Sequence, residues 1–195
     1  MNNAVVAGLV IIVAAAAGYI VQQQYYVSQE ALEADLLTSG DRIDFELTHV
    51  DGSERRLSDW DGDARLVNFW ATWCAPCRRE IPLLKQLQAD KPDKHLQVIG
   101  VAVDFMEDVR AYAEEAEFNY PILVGQEKAM AAAEASGIEF VGLPFTMIIS
   151  SDGVLVGTHV GELKQAHIDR ITEIMQGLES GTLDLETAQS NLHTL

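Results

Sequence analysis

The sequence predicts an α/β fold in which a mixed central sheet is flanked by helices on both faces. The first observation is that short strand-like segments alternate with longer amphipathic segments between residues 43 and 175. The second is a hairpin signal, Ser151-Asp152-Gly153, between the last two strand-like segments. Alternating strands and helices that end in a hairpin and a helix are typical of a mixed sheet covered on both sides.

Six segments are predicted to be strands. Residues 43–47 alternate apolar and polar side chains, and an Asp51-Gly52 turn follows them. Residues 66–71 and 96–103 are nearly continuous apolar runs, which are typical of strands buried on both faces. The predicted strands span residues 43–47, 66–71, 96–103, 121–124, 145–149 and 154–160.

Four segments are predicted to be helices. Ile81, Leu84 and Leu87 recur at helical spacing directly after a pair of cysteines. Cys74 is therefore expected at or just before the N-terminus of that helix. The predicted helices span residues 80–87, 106–118, 127–135 and 164–175.

The chain is predicted to consist of a membrane anchor (residues 1–22), a polar tether (23–40), the α/β domain (41–178) and a polar C-terminal tail (179–195). The transmembrane helix rests on residues 4–21, an 18-residue run without a charged or amide side chain. As a helix this run is about 27 Å long, close to the roughly 30 Å of a hydrocarbon core. A cleaved signal peptide stays an alternative, because the run contains three consecutive small residues that fit a cleavage site.

Charge predicts where the domain lies and which partners it does not bind. No Lys or Arg precedes the apolar run, and the first one after it is Arg42. The positive-inside rule therefore does not favour a cytoplasmic location for the chain that follows the run. The domain is therefore expected on the periplasmic side of the cytoplasmic membrane. The net charge of −17 argues against nucleic-acid partners, because these are bound through Lys and Arg.

The two cysteines lie in Cys74-Ala75-Pro76-Cys77, a spacing that indicates redox chemistry. A helix N-terminus favours the thiolate of Cys74, which we expect to be the nucleophile. Cys77, one turn further on, is expected to resolve the mixed disulfide. Pro76 suits the first turn of a helix, where its missing donor costs nothing. Trp73 is expected to shield the sulfur and to offer an apolar surface to a client protein.

Other uses of the cysteine pair fit less well. A structural zinc ion needs about four ligands, and the chain has no second cysteine pair. Covalent attachment of c-type haem requires a histidine directly after Cys77, where this chain has Arg78. A disulfide that closes so short a loop adds little stability. No metal or other cofactor is therefore expected.

Leu143 and Pro144 directly precede a predicted strand. A trans proline is awkward at that position, so we expect a cis Leu143–Pro144 bond. This arrangement would leave the Leu143 backbone free to pair with a substrate strand beside Cys74. An ordinary proline at the start of a strand is the alternative.

Residues 67–82, VNFWATWCAPCRREIP, resemble the TlpA/ResA-type membrane-anchored thioredoxins. The resemblance extends roughly over residues 37–178 and includes Gly142-Leu143-Pro144. It implies a thioredoxin fold with an extra strand–helix insert around residues 112–124. It also implies a thiol:disulfide oxidoreductase that reduces client disulfides outside the membrane, such as those of apocytochrome c. A membrane electron donor would then re-reduce the Cys74–Cys77 disulfide.

Two positions near the cysteines concern proton transfer. Cytosolic thioredoxins carry a buried Asp where this chain has Asn68, and an amide cannot accept the proton that Cys77 must lose. The resemblance gives a glutamate at the position of Glu80 a role beside the active site. We therefore expect Glu80 to be the proton acceptor, with a pKa raised by partial burial. The alternative is a solvated glutamate on the helix surface.

Three other functions stay open. A thiol peroxidase is the main alternative, because the insert is similar to one in peroxiredoxins and Thr72 lies two residues before Cys74. An anchored binding or chaperone module is another. Within disulfide exchange, a general periplasmic disulfide reductase competes with cytochrome c maturation, since Ala75-Pro76 does not set the redox potential.

Overall fold

The computed structural model describes residues 42–91, 95–134, 137 and 142–192. The predicted anchor (residues 1–22) and tether (residues 23–40) lie outside the described residues, so both stay predictions. Among the helices of the described residues, none combines the length and the hydropathy needed to cross a bilayer.

The described residues contain one mixed sheet of seven strands. These are β1 (Glu46–His49), β2 (Glu54–Arg56), β3 (Ala64–Trp70), β4 (Leu96–Val103), β5 (Ile122–Gly125), β6 (Phe145–Ile149) and β7 (Leu155–Val160). Their order across the sheet is β2-β1-β5-β4-β3-β6-β7. The β3, β4 and β5 strands run parallel, whereas the remaining pairings are antiparallel. The prediction of a mixed sheet is confirmed.

Five α-helices lie in the described part of the chain, besides a short 3-10 helix (Leu57–Trp60). They are α1 (Ala75–Ala89), α2 (Met106–Ala116), α3 (Glu127–Glu134), α4 (Gln165–Glu179) and α5 (Leu185–Leu192). The first four correspond to the predicted helices, but α1 begins at Ala75 rather than at Glu80. The apolar spacing starts only at Ile81, whereas the helix begins earlier because Cys74 caps it and Pro76 fits its first turn.

The central strand β3 is buried along its whole length. Its side chains alternate between two apolar clusters. Leu66 and Trp70 belong to a cluster with residues of α1, α4 and α5, whereas Val67 and Phe69 belong to a cluster with residues of α3. Helices therefore cover both faces of the sheet, as the sequence predicts. The cysteine pair follows directly after this central strand.

The predicted start of the first strand is wrong. Alternation predicts a strand over residues 43–47, but β1 spans Glu46–His49. The amide of Ile43 instead donates to the carbonyl oxygen of Gly153 at 2.9 Å, at the turn between β6 and β7. Ile43 and Phe45 do pack against the second apolar cluster, so the alternation is real, but they pack there outside the β1 ladder.

Residues 185–192 pack on the α/β domain, so the predicted domain boundary at residue 178 comes before its last helix. Helix α5 packs against α4 and β7, and it buries Ala188 and Leu192. A Cβ atom at Gly157 of β7 would lie 2.9 Å from the Leu192 side chain, so the strand and the helix are in close contact. The sequence of α5, LETAQSNL, is short and mostly polar, and its apolar face is therefore easily missed.

A buried arginine stabilises the end of the sheet that lies away from the cysteines. Arg65, near the start of β3, donates to the carbonyl oxygens of Leu57 at 3.1 Å and of Ser150 at 2.8 Å. It also donates to the Asp61 carboxylate at 2.9 Å, which accepts a second hydrogen bond from Arg42 at 2.7 Å. These contacts join the turn before β3 to the turn between β6 and β7.

Candidate active site

Cys74 and Cys77 form a disulfide at the N-terminus of α1, with an S–S distance of 2.02 Å. Cys74 is the N-cap residue, and its Sγ accepts a hydrogen bond from the backbone amide of Cys77 at 3.3 Å. Cys77 is fully buried, whereas Cys74 keeps 5% of its surface exposed. An external reactant therefore meets the sulfur of Cys74 first, and the free amides of the helix N-terminus stabilise negative charge on that sulfur.

The loop that carries Cys74 is fixed by a residue that sequence reasoning missed. The Asp104 carboxylate accepts hydrogen bonds from the amide of Thr72 at 2.9 Å and from its hydroxyl at 2.6 Å. Asp104 directly follows β4, which runs parallel to β3. Because parallel strands end at the same edge of a sheet, an acidic residue just after β4 was the signal that identifies this contact.

Three large apolar side chains are exposed at this end of the sheet. Trp73 is 69% exposed, Phe105 is 60% exposed and Val160 is 52% exposed. Phe105 follows β4, and Val160 pairs with Phe145 at the start of β6, beside the end of β3. The sequence predicts this role only for Trp73. Together the three side chains offer an apolar surface around Cys74 on which a protein segment can bind.

The Leu143–Pro144 segment lies at the same end of the sheet. Its peptide bond is cis. Pro144 is buried, and its carbonyl oxygen accepts a hydrogen bond from the amide of Gly161 at 2.9 Å. Phe145, the first residue of β6, pairs with Phe69 near the end of β3. The Leu143–Pro144 segment therefore lies beside the end of the strand that leads to Cys74.

Glu80 is 1% exposed, so the expected partial burial is in fact complete. One carboxylate oxygen accepts a hydrogen bond from the Asn68 amide at 2.8 Å, and the other accepts one from the backbone amide of Leu163 at 2.6 Å. The same Asn68 amide also donates to the Thr146 hydroxyl at 3.1 Å. Glu80 and Cys77 lie one turn apart on the buried side of α1. The alternative of a solvated surface glutamate does not fit this geometry.

Burial raises the pKa of Glu80 to about 7, against the opposing effect of the hydrogen bonds from Leu163 and Asn68. Burial disfavours the carboxylate, whereas each donor favours it. A carboxyl with such a pKa is present in both protonation states near neutral pH. It can therefore accept a proton from a neighbouring thiol and release it again.

A groove of about 460 Å³ lies between α1 and α2, beginning beside the cysteines at Arg78. Its lining combines the apolar Ile81 and Pro82 with the polar Tyr112 and Glu115. Within residues 42–91, 95–134 and 142–192, no cluster of three or more His, Cys, Asp or Glu side chains has the arrangement of a metal site.

A sequence profile of the AhpC/TSA family matches residues 40–158, which is more than half of the chain. The chain belongs to the AhpC/TSA family. Among its relatives, the thioredoxin-like protein YneN of Bacillus subtilis is 34% identical over 131 residues, which cover 65% of this chain and 74% of the relative. The thiol-disulfide oxidoreductase ResA of Geobacillus kaustophilus is 32% identical over 133 residues, which cover 66% of this chain and 74% of the relative.

The chain is also similar to a solved structure of a thioredoxin-family protein. The crystal structure of a thiol:disulfide interchange protein of the thioredoxin family from Chlorobium tepidum matches with a TM-score of 0.62 and 29% identity, covering 71% of this chain and 97% of that one. The thioredoxin-like fold and the resemblance to ResA-type proteins are therefore confirmed. This member of the AhpC/TSA family is a thiol:disulfide oxidoreductase.

Proposed function

We propose that this oxidoreductase works as a reductant outside the cytoplasmic membrane, where it reduces disulfides of client proteins such as apocytochrome c. The observation that carries the exchange chemistry is the placement of Cys74 and Cys77 at the start of α1, one turn before the buried carboxyl of Glu80. The apolar run over residues 4–21 supports a location at the membrane. Apocytochrome c as a client rests on the resemblance to the TlpA/ResA-type proteins.

The proposed reaction begins from the reduced dithiol. The thiolate of Cys74 attacks one sulfur of the client disulfide, so a mixed disulfide forms and the other client sulfur leaves as a thiolate. Glu80 then accepts the proton of the Cys77 thiol. The resulting Cys77 thiolate attacks the Cys74 sulfur, which closes the Cys74–Cys77 disulfide and releases the client as a dithiol. Two electrons pass to the client in this sequence.

The proposed client site surrounds Cys74. A client segment would lie against the exposed indole of Trp73 and pair with the backbone of Leu143, beside the buried Pro144. Pro76 is half-buried in the first turn of α1, where it separates the two cysteines and leaves the N-terminal amides free. Main-chain pairing would let the site accept clients with different side chains.

The oxidised protein needs two electrons before it can act again. We assign their delivery to a membrane electron donor that exchanges thiols with the Cys74–Cys77 disulfide. An N-terminal transmembrane helix would keep the domain close to such a donor. The full-length gene is expressed, and the membrane and soluble fractions are compared. Recovery of a shortened chain without the first residues in the soluble fraction would favour a cleaved signal peptide instead.

Trapping of the mixed disulfide tests the proposed clients. Cys77→Ser leaves Cys74 able to attack but removes the resolving thiol, so clients are expected to stay attached to Cys74. The matched control is the double variant Cys74→Ser/Cys77→Ser, which should capture none of them. Identification of the trapped proteins by mass spectrometry separates apocytochrome c from a general set of periplasmic proteins. The absence of any Cys74-dependent adduct would contradict the proposal.

Reduction and peroxide consumption separate this proposal from a thiol peroxidase. The Thr72 hydroxyl donates to Asp104, so it is engaged by a neighbouring strand end rather than held free for peroxide. The reduced protein is therefore expected to reduce insulin disulfides and to consume hydrogen peroxide no faster than a simple dithiol. Rapid peroxide consumption that depends on Cys74 would support the peroxidase instead.

A further inference from the structure

The loop between β7 and α4 contacts the active-site helix at two adjacent positions. Inside the protein, the amide of Leu163 donates to Glu80 at 2.6 Å. At the surface, the neighbouring Glu162 carboxylate accepts hydrogen bonds from Arg79 Nε at 3.0 Å and Nη2 at 2.5 Å. Consecutive residues of the loop thus bind consecutive residues of α1.

The ends of this loop are also held. The amide of Gly161 donates to the carbonyl oxygen of Pro144, and Lys164 is the N-cap residue of α4. Lys164 Nζ donates to the second oxygen of Glu162 at 2.5 Å. Hydrogen bonds from Arg79 and Lys164 lower the pKa of Glu162 to about 2, so its carboxylate is charged at neutral pH.

We propose that the Arg79–Glu162 ion pair is a positioning element, which fixes the loop over residues 161–164 against α1 and thereby keeps the Leu163 amide on the Glu80 carboxylate. The positioning effect passes through the neighbouring residues, Glu80 next to Arg79 and Leu163 next to Glu162. Besides this effect, the charge of Glu162 raises the pKa of Glu80 directly. This inference rests on the proposed function of Glu80 as the proton acceptor. The inference adds a surface ion pair that changes the proton affinity of the buried Glu80 carboxyl.

The size of the effect follows from the exposure of the pair. The Arg79 side chain is 60% exposed and that of Glu162 is 18% exposed. Exposed ion pairs of this kind change a local equilibrium by about two- to fivefold. When the loop opens more often, the charged form of Glu80 loses a donor, so the pH midpoint of mixed-disulfide resolution is expected to move upward.

The test removes both charges together in the full-length variant Arg79→Met/Glu162→Gln. The Glu162 charge itself raises the pKa of Glu80 and that of Lys164 lowers it, so loss of Glu162 alone would move the titration of Glu80 downward. An upward shift therefore reports the lost hydrogen bond rather than the field. Hydrogen exchange at the Leu163 amide is expected to become about two- to fivefold faster. In NMR titrations, the midpoint of the Glu80 carboxyl carbon signal is expected to shift to higher pH. The matched control, Arg170→Met/Glu173→Gln, removes an exposed pair within α4.

A second set of variants keeps or restores the ion pair between positions 79 and 162. The exchanged variant R79E/E162R and the conservative R79K are expected to return Leu163 exchange and the pH midpoint toward the wild-type values. The proposal is overturned if Leu163 exchange is unchanged in the double variant, or if the α4 control shifts the Glu80 titration equally. Failure of the proposed function would show differently: resolution of the mixed disulfide would then be insensitive to Glu80→Gln, whatever the loop does.

Discussion

Opposing influences act on the carboxyl of Glu80. Its burial disfavours the anion, whereas the Asn68 amide and the Leu163 backbone amide favour it. The balance leaves the pKa at about 7, where proton acceptance from a thiol and return to solvent are both accessible. An Asp in place of Asn68 would have put a second acid in this interior, whereas the amide supplies a donor for the acid already present.

Replacement of Glu80 with Gln is expected to slow the resolution of the mixed disulfide by about 100-fold at neutral pH, because the Cys77 thiol then lacks its proton acceptor. In the wild type, the charged form of Glu80 is lost below pH about 7, so the resolution rate should fall as the pH decreases. Stopped-flow measurement of client release across pH checks both statements. Glu173→Gln, at an exposed position of α4, is the control. Equal pH profiles for wild type and Glu80→Gln would contradict the assignment.

The same pKa shift predicts how stability depends on pH. Glu80 has a pKa of about 7 in the folded protein and an ordinary value of 4.5, so between these values the folded state binds more protons. Its contribution to stability is present below pH 4.5 and is lost as the pH rises through about 7. Relative to Glu80→Gln, the oxidised wild type should therefore lose about 3 kcal/mol between pH 4 and pH 8. Urea unfolding of both proteins at the two pH values measures the difference, and parallel pH dependences would rule it out.

At the scale of elements, the site depends on the parallel arrangement of β3 and β4. The two strands end at the same edge, which places Asp104 against the loop that carries Cys74. Asp104 also accepts a hydrogen bond from the amide of Phe105 at 2.9 Å. One carboxylate thus orders both the turn before Trp73 and the start of the segment that exposes Phe105.

Asp104→Ala is expected to lower the free energy of unfolding by about 2 kcal/mol, because it leaves the Thr72 amide without its charged acceptor. Client reduction should slow as well, since the turn that holds Trp73 and Cys74 becomes less ordered. Urea unfolding and insulin reduction measure the two effects. Asp108→Ala, at an exposed position in the first turn of α2, should leave client reduction near the wild-type rate. A stable, fully active Asp104→Ala protein would contradict this role.

Apart from the Leu143–Pro144 segment, the predicted part of the site comes from one segment of the chain. Cys74, Cys77 and Glu80 fall within the first turns of a single helix, so their spacing alone places them together. Leu163 contributes a backbone amide, which no residue type encodes, from 83 positions along the chain. Asp104 lies 32 positions from Thr72, and its role became visible only with the strand order.

The strands and helices also differ in how well the sequence predicts them. Long apolar or amphipathic segments such as β3, β4 and α4 were predictable, because their side-chain pattern directly reflects burial. The strand β2 and the helix α5 were not, and β1 was predicted three residues too early, since pairing and packing with distant elements define them. Ile43 shows the reason: its side chain obeys the strand alternation, although its backbone bonds to the β6–β7 turn.

At the scale of the whole molecule, α5 completes the apolar core beside β7. A chain that ends at Leu178 loses the buried Ala188 and Leu192 and exposes the surface of β7 near Gly157. Its free energy of unfolding is expected to be lower by about 3 kcal/mol than that of a chain that ends at Leu192. Thermal unfolding of the two proteins checks this, and binding of a hydrophobic dye should increase only in the shorter one. Identical unfolding curves would show that α5 adds nothing to the core.

The bridge between Arg42 and Val154 has a consequence for how the domain can be attached. It holds Arg42 at the β6–β7 turn, whereas Cys74 follows the opposite end of β3. Arg42 and the sulfur that meets clients therefore lie at opposite ends of β3. A change in the length of the chain before Arg42 is therefore expected to leave the surface around Cys74 as it is.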